Sequence, residues 1–153
     1  MNLQRLIDQH PSAFAAIFLI YFLFLWFLVA TIISLVGGWF ALAKLYRTRA
    51  TFNGAKRRMQ SGRMGWLANY NNVLTIGVSQ QGLYLASIFL FRFMHPPLLV
   101  PWNEIKVRRS TGWVFEYVTL TMGRDLAIPL RIRGKLAAKL REAAGNWWPI
   151  EET

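Results

Sequence analysis

The chain has 153 residues, enough for one membrane anchor and one small domain. It contains no cysteine, which excludes disulfides, thiolate metal sites and cysteine nucleophiles. Its 18 Lys and Arg against 7 Asp and Glu give a formal charge of +11, a balance that suits anionic lipid, nucleic acid or an acidic protein.

Residues 1–12 are nearly neutral, with Arg5 and Asp8 as their charged side chains, and are expected outside the cytoplasm. From Ala13 to about Val36 the chain is apolar and uncharged. About 20 such residues in a helix span the roughly 30 Å hydrocarbon core of a bilayer, and a fully hydrogen-bonded helix is the single-segment structure that lipid tolerates. The apolar run exceeds the length of a signal-peptide core, so an uncleaved signal-anchor is expected, with Pro11 and Ser12 at the helix start. The transmembrane helix and its interfacial extension are assigned to 13–43, with Gly37-Gly38 weakening the helix as it leaves the hydrocarbon and Trp39 and Tyr46 as interfacial aromatics.

Lys44, Arg47, Arg49, Lys56, Arg57, Arg58 and Arg63 follow with no acid among them. Basic residues beside a membrane helix stay cytoplasmic, which sets the N-terminus outside and the remainder inside. Residues 44–65 read as a basic linker broken by Gly54, Gly62 and Gly65.

From Trp66 the pattern changes to period two. VLTIGV, LYLASIFLF, LLVPWNEIKV, VFEYVTLTM and LAIPLRI read as strands separated by turns, and Pro129 points to an edge or bulged strand. KLAAKLREAAG returns to helical period, with Leu136 and Leu140 on one face and Gly145 ending it. The fold class is therefore one transmembrane α-helix plus a small α+β domain over 66–145, a bent antiparallel sheet or partial barrel with a C-terminal helix. Residues 146–153 form a Trp-rich tail. A second span over LYLASIFLFRFMHPPLLV is disfavoured by Arg92, His95 and Pro96-Pro97; a strand hairpin with an apolar tip at 88–94 fits better.

The series GLYL, PPLLVPWNEI, YVTL and LAIPL, followed by a short Lys/Ala/Leu helix, resembles the bacterial pleckstrin-homology-like (PH-like) domains of small membrane proteins, over about residues 66–144. Pro101, Trp102 and Ile105 stand for that family's Pro-Trp-x-x-Ile element. Five or six strands are legible where the family has seven, leaving an abbreviated barrel or a first strand between Met59 and Ala68. The resemblance implies a binding or scaffolding module at the bacterial inner membrane and fixes no ligand.

No catalytic or metal constellation assembles. His10 and His95 fall on opposite sides of the expected membrane, Glu104, Glu116, Asp125 and Glu142 are scattered, and no phosphate loop or nucleophile elbow occurs. No enzyme activity, cofactor, nucleic acid or small-molecule substrate is expected. Lys44, Arg47, Arg49, Lys56, Arg57, Arg58, Lys106, Arg108 and Arg109 are the candidates for anionic lipid headgroups, on one basic surface facing the inner leaflet. Phe89, Phe91 and Phe93 at the hairpin tip, with Trp147 and Trp148 in the tail, are the candidate partner interface. The expected function is a non-catalytic accessory protein that docks on and stabilises an integral membrane complex. The alternative is a stand-alone anionic-lipid module.

Overall fold

The computed structural model describes residues 4–5 and 9–152, so Asp8 of the N-terminal stretch and Thr153 of the tail lie outside the described residues. The chain divides into two compact units, Met1–Ile32 and Ile33–Thr153. The first is the bulk of helix α1, Pro11–Val36. It is long and apolar enough to cross a membrane, and its large side chains from Ile17 to Val29 are exposed all around it. Its length, composition and place near the N-terminus are those of a membrane anchor or of a signal sequence.

The second unit is a curled eight-stranded half-barrel with two helices. Helix α2 spans Trp39–Tyr46. Strands β1 (Ala55–Met64), β2 (Ala68–Val78), β3 (Gly82–Ser87) and β4 (Leu98–Pro101) form one antiparallel meander. Strands β5 (Ile105–Thr111), β6 (Glu116–Met122) and β7 (Ile128–Arg133) form a second. Helix α3, Gly134–Ala144, follows, and the short β8, Glu151–Glu152, pairs in parallel with β5. The sheet order is β4-β3-β2-β1-β7-β6-β5-β8.

Strand β1 joins the two meanders, and it occupies residues expected to be a linker. Its inward positions are nearly empty of apolar side chains until Met64, which is fully buried. Register slips between Arg57 and Gln60 and between Gln60 and Gly62 bend it. It therefore pairs along most of its length with β2 but meets β7 only at Arg63–Arg131 and Met64–Leu130. Pro129 lies just past those two pairs. β7 is thus interior rather than an edge strand, and the proline falls at the end of the β1 ladder, where its carbonyl accepts from the Gly65 N–H at 2.8 Å and it has no N–H to return.

The domain also begins earlier than residue 66. Gly38 adopts φ +80°, and a Cβ there would come 2.7 Å from Ile128 Cδ1, while a Cβ on Gly37 would come 2.8 Å from that of Ala68. Glycine lets the chain turn left-handed and lie close against the sheet. That turn carries Trp39 and Leu42 into the core, both fully buried. The expectation of Trp39 as an interfacial aromatic is thus overturned: its ring packs among Tyr70 and His95. Tyr46, also expected at the interface, is half-buried against the core and donates its hydroxyl to Glu104. Leu136, Ala137, Leu140 and Ala144 of α3 close the core from the other side, as the helical spacing indicates.

Residues 83–100 form β3, a helical turn at Phe89–Phe91 and β4, not a second membrane-length helix. The expected third strand is likewise cut in two by a helical turn at Trp102–Glu104.

Candidate functional site

The connection between β3 and β4 is apolar at its surface and firmly held beneath. Phe89, Leu90 and Phe93 are 76%, 62% and 76% exposed. Under them, Ser34 Oγ donates to the Met94 carbonyl at 2.7 Å, and Trp39 Nε1 donates to the Pro96 carbonyl at 2.9 Å. The connection is therefore fastened to the residues where the apolar run of the sequence ends.

His95 is the internal post. It is 1% exposed, with the Tyr70 hydroxyl 2.9 Å from Nε2 and the Phe91 carbonyl 3.3 Å from Nδ1. A carbonyl only accepts, so Nδ1 carries the proton and Nε2 accepts from Tyr70. Burial pulls the His95 pKa below its ordinary value, with the bond to the Phe91 carbonyl acting in the opposite sense. Burial likewise pushes the Tyr70 phenol well above its usual range. The pair is a neutral, satisfied network.

Beside this loop lies a cleft of about 560 Å³ lined by Arg47, Arg49, Lys56 and Arg92, with no acidic side chain. Local structure explains the convergence. Arg47 bridges to Leu98 of β4 and Thr48 N donates to the Pro97 carbonyl, which draws the end of α2 against β4. Lys56 on β1 lies 5.4 Å from the Phe52 ring and 5.6 Å from Tyr84, two rings stacked at 4.5 Å. Arginine forks and a lysine in such a cleft can hold phosphate or carboxylate oxygens.

The expected single basic surface is instead divided. Arg47, Arg49 and Lys56 meet in the cleft, and Arg57 and Arg58 are exposed further along β1. Lys44 lies on α2 over Phe40. Lys106, Arg108 and Arg109 sit on β5, beside the tail. Parallel pairing of β8 brings Glu152 to 3.7 Å from Lys106 and Glu151 to 3.1 Å from Arg109, and Glu116 also faces Arg109. Glu151 is held below the usual carboxylate range mainly by its bond from Arg109, against the opposing effect of burial. The tail acids thus counter part of the charge that the sequence offers to lipid there.

The apolar interface is divided too. Phe91 is only half-exposed within its turn. Trp147 is half-exposed, but Trp148 is 9% exposed and packs on Trp102 at 5.9 Å. Trp148 is therefore a core residue, because the chain between α3 and β8 folds back over the sheet edge. Sequence reasoning missed Arg92 and Leu90 as site residues. Both lie in the stretch weighed as a hairpin tip, where Arg92 counted only as an obstacle to a membrane span. Among the described residues no group of three His, Asp or Glu is placed to hold a metal ion.

No family model matches this chain, and no curated protein or solved structure does so either.

Proposed function

We propose that this chain is a single-pass bacterial inner-membrane protein with its N-terminus outside, whose cytoplasmic PH-like half-barrel docks without catalysis on an integral membrane complex and stabilises it. The observation that carries this reading is the rigidly fastened β3–β4 connection with Phe89, Leu90 and Phe93 turned to solvent. Exposed apolar groups on a well-supported backbone mark a contact surface, because solvation of such a patch is unfavourable and ordering it has already been done. Fastening to Ser34 and Trp39 supports a contact at the level where the apolar helix leaves the bilayer. The basic run from Lys44 to Arg63 supports the cytoplasmic orientation.

The test is gentle detergent extraction, native electrophoresis and mass spectrometry of the resulting particle. Stoichiometric large membrane subunits are expected with the native chain and should be lost with the double variant F89S/L90S, whose two positions are exposed and outside the core. A lone monomer or homodimer from native membranes overturns the docking reading. A second reading, a stand-alone anionic-lipid module, is favoured by the acid-free cleft. It predicts retention on phosphatidylglycerol vesicles that falls when Arg49 and Arg92 are replaced by Gln.

A further inference from the structure

On the outer face of the sheet, where β1 meets β7, two arginines stand directly opposite each other. Arg63 and Arg131 are register partners, and their strand neighbours Met64, Leu130 and Ile132 point into the core, so both guanidinium groups project outward. Opposed residues in an antiparallel pair hold their Cβ atoms about 5 Å apart, and like charges placed so are destabilising. Arg133, two residues along β7, projects from the same face. Asn69 is the partner of Arg63 on its other side, across β2, and Asn71 projects beside it. These residues, with Ser61 and Tyr117, line a groove of about 320 Å³ that contains no acid.

This arrangement differs from the basic cluster on β5. Arg109 has Glu151 and Glu116, and Lys106 has Glu152. In the groove the arginines are oriented instead by neutral groups. Arg131 lies 4.1 Å over the Tyr117 ring, Arg133 5.0 Å from the Phe115 ring, and Arg63 Nε donates to the Trp66 carbonyl at 3.0 Å. The cations thus lean on neutral groups, and no acid lines the groove to compensate their charge. Planar guanidinium forks suit oxyanions with several acceptors, and the Asn69 and Asn71 amides can donate further bonds.

We propose that this groove is a seat for a phosphoryl group, with Arg63, Arg131 and Arg133 as its cationic ligands. The phosphoryl group is carried either by a soluble phosphate compound or by a lipid headgroup. The assignment is independent of which complex the β3–β4 connection contacts.

The experiment uses the full chain. In neutral detergent its thermal midpoint is compared in potassium phosphate and in potassium chloride of matched ionic strength. In a second arm it is reconstituted in phosphatidylcholine nanodiscs with and without phosphatidic acid. Phosphate at about tenfold excess over its dissociation constant should raise the midpoint by about 4 °C. R131Q should lose that increment, and K139Q, a change on the exposed face of α3, should keep it. If R131Q does not fold, R133Q carries the same comparison. An Arg131-dependent increment with phosphatidic acid but none with free phosphate supports the seat and assigns it to lipid. No increment with either probe, or an equal increment in R131Q and K139Q, overturns the proposal.

Discussion

Gly38 couples two demands that a single alanine breaks together. Its φ of +80° costs an L-residue about 1 kcal/mol or more, and the added Cβ meets Ile128 at 2.7 Å, which overpacks the joint by about 1–3 kcal/mol. G38A is therefore expected to destabilise the domain by about 2–4 kcal/mol in denaturant unfolding. Adding I128V should return part of the steric loss and none of the backbone cost. His95 carries a second prediction at this scale. Its folded pKa lies below the ordinary 6.5, so the unfolded chain binds more protons as pH falls through that value. Stability is then full above pH 6.5 and declines below it, at no more than about 1.4 kcal/mol per pH unit. Thermal midpoints measured from pH 7.5 to 5 should show this decline in the native chain and a flatter profile in H95Q.

Among elements, the tail separates two tryptophans that are adjacent in sequence and unequal in energy. W148A removes a ring packed on Trp102 and is expected to cost about 3 kcal/mol. W147A, at a half-exposed site, should change stability by less than about 1 kcal/mol; urea midpoints of the two variants check the contrast. The elements that advertise themselves by periodicity are the ones legible in sequence. Helix α1 is legible from its unbroken apolar run; strands β2, β6 and β7, and α3 bury a regular face, and Leu136 and Leu140 sit where the spacing puts them. Strand β1 escapes because AKRRMQSGRM offers no alternating apolar face; its pairing, not its side chains, makes it a strand. Trp39 reads as a membrane-interface residue because the sequence does not show the left-handed turn that aims it inward. The acid-free cleft was half legible, in Arg47, Arg49 and Lys56. The groove was not, since only register brings Arg63 to face Arg131.

At the scale of the whole molecule, the cationic surplus is sorted by topology. Glu116, Glu151 and Glu152 gather on the β5 side, and the cleft and the β1–β7 face are left uncompensated. Fully buried apolar residues of the second unit's core begin at Trp39, and Ile33, at the unit's boundary, packs partly buried against them. A chain starting at Ile33 is accordingly expected to unfold cooperatively with a native near-ultraviolet spectrum. One starting at Thr51, which lacks Trp39 and Leu42, should lose that spectrum and bind hydrophobic dye.

The two meanders are each built from neighbours in sequence, and their sheet pairing meets in two register pairs at the end of β1, extended by the Gly65–Pro129 hydrogen bond. Within each meander, loop closure is short and pairing is rapid. The stitch requires closing a loop that contains the entire intervening sheet. Folding should therefore run as two locally formed ribbons that zip together last. In the native state, the amides of Arg63, Met64 and Arg131 should exchange with deuterium well ahead of those buried along β6. The place where the half-barrel is completed is also the place where it first breathes.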